Sequence, residues 1–261
     1  MTVDGEASAD SAKAKPETMS AETLIEIENV AGQRRNSYQG SGTPHLNRTR
    51  ISYIAEARPG DLGLDLGCCD AAHRRIFEAL GYKYCGVDIV NRGADALADA
   101  HALPFRAGTF ALVLCISVLQ YLTDPQTAMR EVERILQPGG QFIGSVAFLE
   151  AWDGDSLVHF TPRGLARLLQ TVGLHLERIA IDPSWHVVRA QLQMGPLRNL
   201  PPTLSKALAA PFLWLVRTHG LAGRLLSRNP SEHNPAAVLA RHAGALFFIA
   251  RRRQEGLQLP A

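Results

Sequence analysis

Between residues 62 and 182 the chain alternates short apolar runs with stretches in which apolar residues recur at helical spacing. The runs are Leu62–Leu66, Tyr84–Val90, Ala111–Ser117 and Gln141–Phe148. Each has the length of a strand and is apolar at successive positions, as strands covered on both faces are. Helix-like segments at about 71–80 and 125–136 separate them. Asp124 is placed to cap the second of these, and Pro125 fits its first helical position. Its apolar face is Ala128, Val132, Ile135 and Leu136, and Gln137-Pro138-Gly139-Gly140 stops it. Thr161-Pro162 opens another helix that runs to about Val172, with Gly173 as its C-cap. A strand at 174–182 follows, and a last strand, Ala245–Ala250, comes about sixty residues later. Strands separated by helices imply βαβ units and an open α/β domain with a mainly parallel sheet.

The flanks read differently. Residues 1–20 are rich in Ala, Ser and Glu with almost no large apolar side chain, which predicts a disordered tail. Residues 21–58 predict an N-terminal helical segment. The α/β core is expected over 59–184 and 243–253, with a helical insertion at 185–242 and a short tail at 254–261. The insertion is longer than a hairpin connection should be. Asn199-Leu200-Pro201-Pro202 starts a helix in it, and Pro211 is expected to break or kink that helix. Beyond Pro211, Arg217, Arg224 and Arg228 share one stripe, with Phe212, Leu215, Ala222 and Leu226 opposite. Two readings follow. The insertion is a lid docking its apolar face on the core, or 201–228 makes peripheral contact with a membrane bearing anionic lipid or a lipid-linked acceptor.

Composition narrows the function classes. Lys and Arg number 27 against 25 Asp and Glu, a net charge of +2, which argues against a dedicated nucleic-acid binder. The charge is unevenly spread, acidic over 1–30 and basic from 185 onward. The four cysteines, Cys68, Cys69, Cys85 and Cys115, form no C-x-x-C pair and have no His at zinc-ligand spacing, so no metal is expected and the thiols read as reduced. The N-terminus lacks the basic start and apolar run of a signal peptide, and the longest apolar stretch, Ala207 to Val216, is too short to span a bilayer. A cytoplasmic location is the expectation.

The informative chemistry lies at Leu64-Asp65-Leu66-Gly67-Cys68-Cys69-Asp70-Ala71, where a strand passes through a turn into a helix. Ligands of open α/β sheets bind beyond the C-terminal ends of the strands, and a Gly there admits a ligand close to the backbone. Asp88, in Gly86-Val87-Asp88, lies 21 residues after Gly67, near the spacing expected for an acid that accepts from a ribose hydroxyl. A dinucleotide needs a second Gly where its pyrophosphate meets the backbone. Here that place holds Cys68-Cys69-Asp70-Ala71, which suits a cationic, phosphate-free cofactor better.

At this point the segment from Leu64 to Gly140 resembles the class I S-adenosylmethionine-dependent methyltransferases, close to the type-11 group. The matching pieces are LDLGC at 64–68, GVDI at 86–89, DAHALPF at 99–105, FALVLCISVLQYL at 110–122 and AMREVERILQPGG at 128–140. HFTPRGLARLLQTVGLHLERI at 159–179 and GALFFIARR at 244–252 continue it. The resemblance implies a Rossmann-like sheet of seven strands with the last antiparallel, S-adenosylmethionine as cofactor, and methyl transfer to a small-molecule acceptor. It implies that Asp65 and Gly67 line the methionine side of the cofactor and that Asp88 holds the ribose diol. It further implies that Asp99 and the backbone of Ala100 read the adenine edge, and that Cys115 and Ile116 close over the cofactor, with Cys68 and Ile89 completing the set. The family usually has Gly at Cys69, often Gly at Ala71, Asp at Ala111, and Glu-His at Gln120-Tyr121. These departures leave a second class of function open, a non-catalytic cofactor-binding or partner-binding protein on the same fold.

If the acceptor presents a hydroxyl, a general base helps. His159, after the fifth expected strand and before a helix start, is the candidate, against the alternative of helping to cap that helix. Tyr121 and Ser117 follow the fourth strand and would line an acceptor pocket. Trp152, Asp153 and Asp155 sit on the next loop. The acceptor class stays open among sugar or glycolipid, quinone-like ring and polyketide-type metabolite, and the sequence leaves the oligomeric state unread.

Overall fold

The computed structural model describes residues 25–27, 36, 38–43, 45–90, 93–152, 154–195, 197–226 and 235–254. The expected tail at 1–20, most of that at 254–261, Asp153 and Arg228 lie outside them. The core strands are β2 (Leu62–Leu66), β3 (Lys83–Asp88), β4 (Ala96–Leu97), β5 (Phe110–Ile116), β6 (Leu136–Ala147), β7 (Leu174–Ile181) and β8 (Ala245–Arg252). They form the expected mainly parallel seven-stranded sheet, with β8 antiparallel to both β6 and β7. An eighth strand, β1 (Ile25–Ile27), adds to the edge in parallel with β7. The full order is β1-β7-β8-β6-β5-β2-β3-β4. The chain runs outward from β2 through β3 to β4 and then returns to the other side of β2 as β5, a reversal of direction that opens a crevice at the strand ends.

Both faces of the sheet are covered, which is why its strands read as unbroken apolar runs. One face carries Leu64, Val113, Cys115, Phe142, Phe248 and Ile179, under α3 (Pro125–Ile135) and α4 (Pro162–Thr171). The other carries Leu112, Leu114, Ile143, Phe247 and Ile249, under α1 (Arg48–Ile51) and α2 (Arg74–Ala79). Caps act as the local sequence dictates. The Asp124 carboxylate accepts from Gln126 N and Thr127 N, and Thr161 Oγ1 accepts from Gly164 N. Gly173, at φ +87°, turns the chain out of α4.

The described residues of 21–58 hold only one short helix, α1, of the expected helical segment. They supply β1, one short helix and an extended layer seated on the second face. Its anchors are side chains spending their polar groups on the backbone. Asn36 Nδ2 donates to the carbonyls of Ile51 and Ile54, each at 2.7 Å. From the sheet, Gln141 Oε1 accepts from Ala55 N at 2.8 Å and Nε2 donates to Tyr53 O. Leu46, Ile51, Tyr53 and Ile54 are buried beneath.

The insertion is helical, comprising α5 (Val187–Met194), α6 (Pro202–Leu226) and α7 (Pro235–Ala240). The break expected at Pro211 is absent. Proline removes one backbone donor from the helix interior, but buried residues on both sides of it, Ala209 and Val216, hold α6 in one piece. The face is also rotated from that expected. Ser205, Ala209, Val216 and Gly220 turn inward, while Leu215 and Ala222 are exposed. Packing sets the rotation. Phe212 lies between the ring of His186, stacked at 5.3 Å, and that of His242, edge-on at 5.4 Å. Gln193 Nε2 donates to Ser205 Oγ. The neck closes on itself through Val187 N to His242 O (2.8 Å) and Gly244 N to Trp185 O (2.9 Å). Among the described residues no helix is long and apolar enough to cross a membrane.

Candidate active site

A cleft of about 760 Å³ opens beyond the C-terminal ends of β2, β3 and β5, at the point where strand order reverses. Gly67 follows β2 directly. Its φ is +75°, and a Cβ there would overlap Val118, so both backbone and space demand glycine. Gly67 N and Cys68 N both donate to Val87 O, at 2.8 and 3.0 Å, which folds the turn over β3. Asp88, the last residue of β3, then ties the turn down. Its Oδ2 accepts from Cys69 N at 2.9 Å and its Oδ1 from Val90 N at 3.0 Å.

The opposite wall is the 99–105 loop. Asp99 Oδ1 accepts from His101 N at 2.9 Å and lies 2.6 Å from His101 Nδ1. The first of these bonds, joined by the imidazole, holds the Asp99 carboxyl below its usual range. His101 Nε2 accepts from Asp124 N at 3.2 Å, which places the ring proton on Nδ1 if the imidazole is neutral. The loop is pinned from α3. Glu131 Oε2 accepts from Leu103 N, and Arg134 donates to the carbonyls of Leu103 and Phe105. The adjacent DAHALPF and AMREVERI stretches are thus one mechanical unit.

Of the expected cofactor residues, the cleft brings together Gly67, Asp88, Ile89, Asp99, Ala100 and Ile116. Three others are corrected. Asp65 is 1% exposed and does not line the cleft; it sits behind the turn, where His73 Nδ1 lies 3.1 Å away and Tyr84 OH donates at 3.0 Å. Burial, with that carboxylate close by, holds the Tyr84 phenol above its usual range. Cys68 and Cys115 are buried. Alternation along β5 turns Cys115 into the core while its neighbour Ile116 reaches the cleft. Burial pushes the Cys68 thiol up to about 11 and the Cys115 thiol up as well, so both are apolar packing. Cys69, which lines the cleft, leaves it open. Three carboxylates, Asp88, Asp99 and Asp155, line the cleft, and among the described residues no Lys or Arg does. That lining fits a cationic sulfonium nucleoside and opposes a pyrophosphate. Among the described residues no cluster of His, Cys, Asp or Glu is arranged to hold a metal.

A second, smaller cavity of about 160 Å³ shares Ser117 and Tyr121 with the cleft. His159 lines it, as do His45, Gln120 and Glu150. The His159 ring is held at both nitrogens, Nδ1 3.3 Å from Phe148 O and Nε2 3.3 Å from Ser156 Oγ. It does not cap α4, since Thr161 does. Gln120 Oε1 is buried without a partner. A third, more polar cavity of about 620 Å³ also reaches Ser117 and is lined by Arg50, Arg189 and Lys206. Ser117 stands where the three meet, at φ +57°, a conformation costly for a residue with a Cβ.

His101, Glu150 and His45 were not singled out from the sequence, and Gln120 only as a departure from the family pattern. His101 was legible as the partner of Asp99 in the DAHALPF stretch. His45 lies some seventy residues from Ser117 in sequence, and only the folding of the N-terminal layer onto the sheet brings it there.

Residues 64–144 match the family model described as a methyltransferase domain. The chain is 29% identical over 149 residues to a ubiquinone biosynthesis O-methyltransferase of Sodalis glossinidius, covering 46% of this chain and 59% of that protein. It is 29% identical over 144 residues to a malonyl-acyl-carrier-protein O-methyltransferase of Alcanivorax borkumensis, covering 46% and 49%. The chain thus spans about half to three-fifths of the length of these curated relatives. Among solved structures, a 4+2 cyclase, SpnF, superposes with a TM-score of 0.52 at 16% identity, covering 88% of each chain. A geranyl diphosphate methyltransferase in complex with GPP and sinefungin does so at 0.50 and 15%, covering 77% of this chain and 74% of that one. At such identities the superpositions speak for the fold alone.

Proposed function

We propose that this chain, a class I S-adenosylmethionine-dependent methyltransferase by its matched domain and its fold, transfers a methyl group to an oxygen or carbon of a small-molecule acceptor. The observation that carries this reading is the cleft, whose described lining holds three carboxylates and no Lys or Arg, opening through Ser117 and Tyr121 into a second cavity. S-adenosylmethionine, when bound, supplies a methyl already activated on a sulfonium. The protein's task is then alignment, which can be worth about 7–11 kcal/mol.

In this reading Gly67 gives the methionine portion room against the backbone. Asp88 accepts from the ribose diol with the lone pairs that Cys69 N and Val90 N leave free. Asp99 faces the adenine edge with Oδ2, which takes no hydrogen bond from the described residues, beside the backbone of Ala100. Ile89 and Ile116 cover the nucleoside. Asp65 acts as a positioning residue through His73 and Tyr84. The acceptor enters the cavities beyond Ser117, with Tyr121 and Gln120 as contacts and α5 and α6 as the lid. His159 is the candidate base. With its proton on Nδ1 toward Phe148 O, Nε2 is the acceptor, and an incoming hydroxyl would take the place that Ser156 Oγ holds at 3.3 Å. The relatives named for ubiquinone biosynthesis and for a malonyl thioester suggest acidic hydroxyl or carboxyl acceptors as the first to try.

Calorimetry with S-adenosylmethionine and its demethylated product tests the cofactor reading. Binding of both, abolished by Asp88→Ala together with Asp99→Ala, is expected, and absence of binding to either sinks it. Transfer of labelled methyl to a panel of phenols, carboxylates and polyketide-type hydroxyls tests the enzyme reading. Cofactor binding with no product, and no effect of His159→Ala on any acceptor, would favour a non-catalytic cofactor-binding protein, for which the strained turn at Cys69 and Ala71 is the supporting observation.

A further inference from the structure

From the outward face of α6, we infer that the protein docks on an anionic membrane surface, with α6 lying in the plane of the headgroups. Trp214 is 68% exposed, and Leu204, Leu208, Leu215 and Leu221 are between 44% and 61% exposed. At 3.6 residues per turn, Leu204, Leu208, Pro211 and Leu215 fall on one line and Trp214 and Leu221 on the adjacent one, an apolar sector of roughly 140°. The inward line of Ser205, Ala209, Val216 and Gly220 lies on the other side of the same helix. A soluble lid needs only that inward line. A second contiguous apolar face, rimmed by polar residues, marks a surface that meets something else.

Charge identifies what it meets. Residues 183–231 contain no Asp or Glu, against Arg189, Arg198, Lys206, Arg217, Arg224 and Arg228. Within α6, exposed Arg217 sits between Trp214 and Leu221 at helical spacing, on one margin of the apolar sector, and exposed His219 flanks the other. An apolar sector bearing Trp and Leu with cations at its edge is the pattern of a helix lying in a bilayer interface. The cations reach phosphates while their stems cover apolar surface. A second copy is a poor occupant, because a two-fold contact would set the same acid-free surface against itself. The arrangement differs from that read from the sequence alone, in which Phe212, Leu215, Ala222 and Leu226 formed one apolar face opposite Arg217, Arg224 and Arg228. In the structure the leucines and Trp214 face outward and Arg217 borders them. Pro202 and Lys206 of the same helix line the 620 Å³ cavity, so docking brings that cavity to within about a helix diameter of the surface. This inference does not depend on methyl transfer.

Cosedimentation of the full chain with vesicles of phosphatidylcholine, alone or with roughly 30 mol % phosphatidylglycerol, tests it. Binding to the anionic vesicles at least about tenfold tighter than to the neutral ones is expected, weakened by high salt. Trp214→Ser with Leu215→Ser is expected to reduce that binding at least about tenfold while the melting temperature and S-adenosylmethionine affinity stay put. Arg217→Glu, a surface change that leaves folding alone, is expected to weaken binding several-fold. A blue shift of tryptophan emission on vesicle addition that disappears in Trp214→Phe, whose binding persists, would locate the helix in the interface. No binding of the full chain to anionic vesicles overturns the inference. So does equal binding by the double variant, or a dimer in light scattering that the double variant dissociates.

Discussion

The two ends of this molecule's ligand space are built on opposite principles. The cleft beyond β2, β3 and β5 is made of backbone groups each held by a hydrogen bond: the Gly67 turn hangs on Val87 O, the Asp88 carboxylate clamps it through Cys69 N and Val90 N, and the Glu131 side chain of α3 pins the facing loop. The insertion is made of side chains held by side chains, with Phe212 between two imidazoles and Gln193 on Ser205. The first kind of construction tolerates almost no substitution and keeps one geometry. The second can be repacked with little cost to the sheet, and under the proposed function acceptor specificity would lie there and cofactor affinity in the cleft.

The sharpest way to break that contrast is Gly67→Ala. It adds a Cβ at positive φ and into Val118. Strain and overpacking together should cost about 2–4 kcal/mol, and cofactor affinity should fall below detection in calorimetry. Unchanged unfolding in urea would show that the turn can yield. Next comes Asp88→Asn, which keeps the shape but loses the charge. Hydrogen bonds to a charged group are worth about 1.5–3 kcal/mol, so an affinity loss of roughly 10- to 100-fold is expected, with the acceptor KM little changed.

Acid probes the other region. Burial, followed by neighbouring cations, lowers the pKa of His186 and His242. A folded-state value below the unfolded one means that the unfolded chain takes up the proton first. Stability is then full above about pH 6.5 and declines as pH falls toward the folded values. Protection factors, taken relative to the intrinsic exchange rate at each pH, should therefore fall in α5 and α6 between pH 7.5 and 5.5 before they do in β2 and β5, and His186→Phe should flatten that dependence. A uniform fall across the sheet would contradict it. The smallest effect is a gain: Cys69→Gly or Ala71→Gly relieves backbone at φ +51° and +58° and should stabilise by about 0.5–1 kcal/mol after the entropy of the unfolded glycine is counted, read as a raised melting temperature.

The order and type of the core elements were legible because both faces of the sheet are buried and every core strand but β4, whose Ala96 and Leu97 are exposed, is announced by its apolar run. Caps at Asp124 and Thr161 were legible because their reach is two or three residues. So was the pairing of Gly67 with Asp88, fixed by a strand-turn-helix of standard length. What escaped was set at long range. β1 gains its place only by pairing with Ile179 to Ile181. Asp65, Cys68 and Cys115 looked like cofactor contacts, yet strand alternation and the fold of the turn send them inward. The rotation of α6 depends on where His186 and His242 stand, which no periodicity within 202–226 can reveal, and Pro211 looked like a break because the packing that overrides it lies outside the helix. The positive φ of Cys69 and Ala71 was half legible: glycine is the common residue at both places, and the backbone shows why.

The neck of the insertion carries a consequence of its own. Its two strands of chain leave and rejoin the sheet side by side, fastened by Val187 to His242, Gly244 to Trp185 and Trp185 to Glu150. A segment anchored at one doorway is a cassette: it can be exchanged for that of another member of the fold without redrawing a single strand pairing, and a graft cut at Trp185 and Gly244 would carry acceptor choice across while the donor-side machinery stayed native.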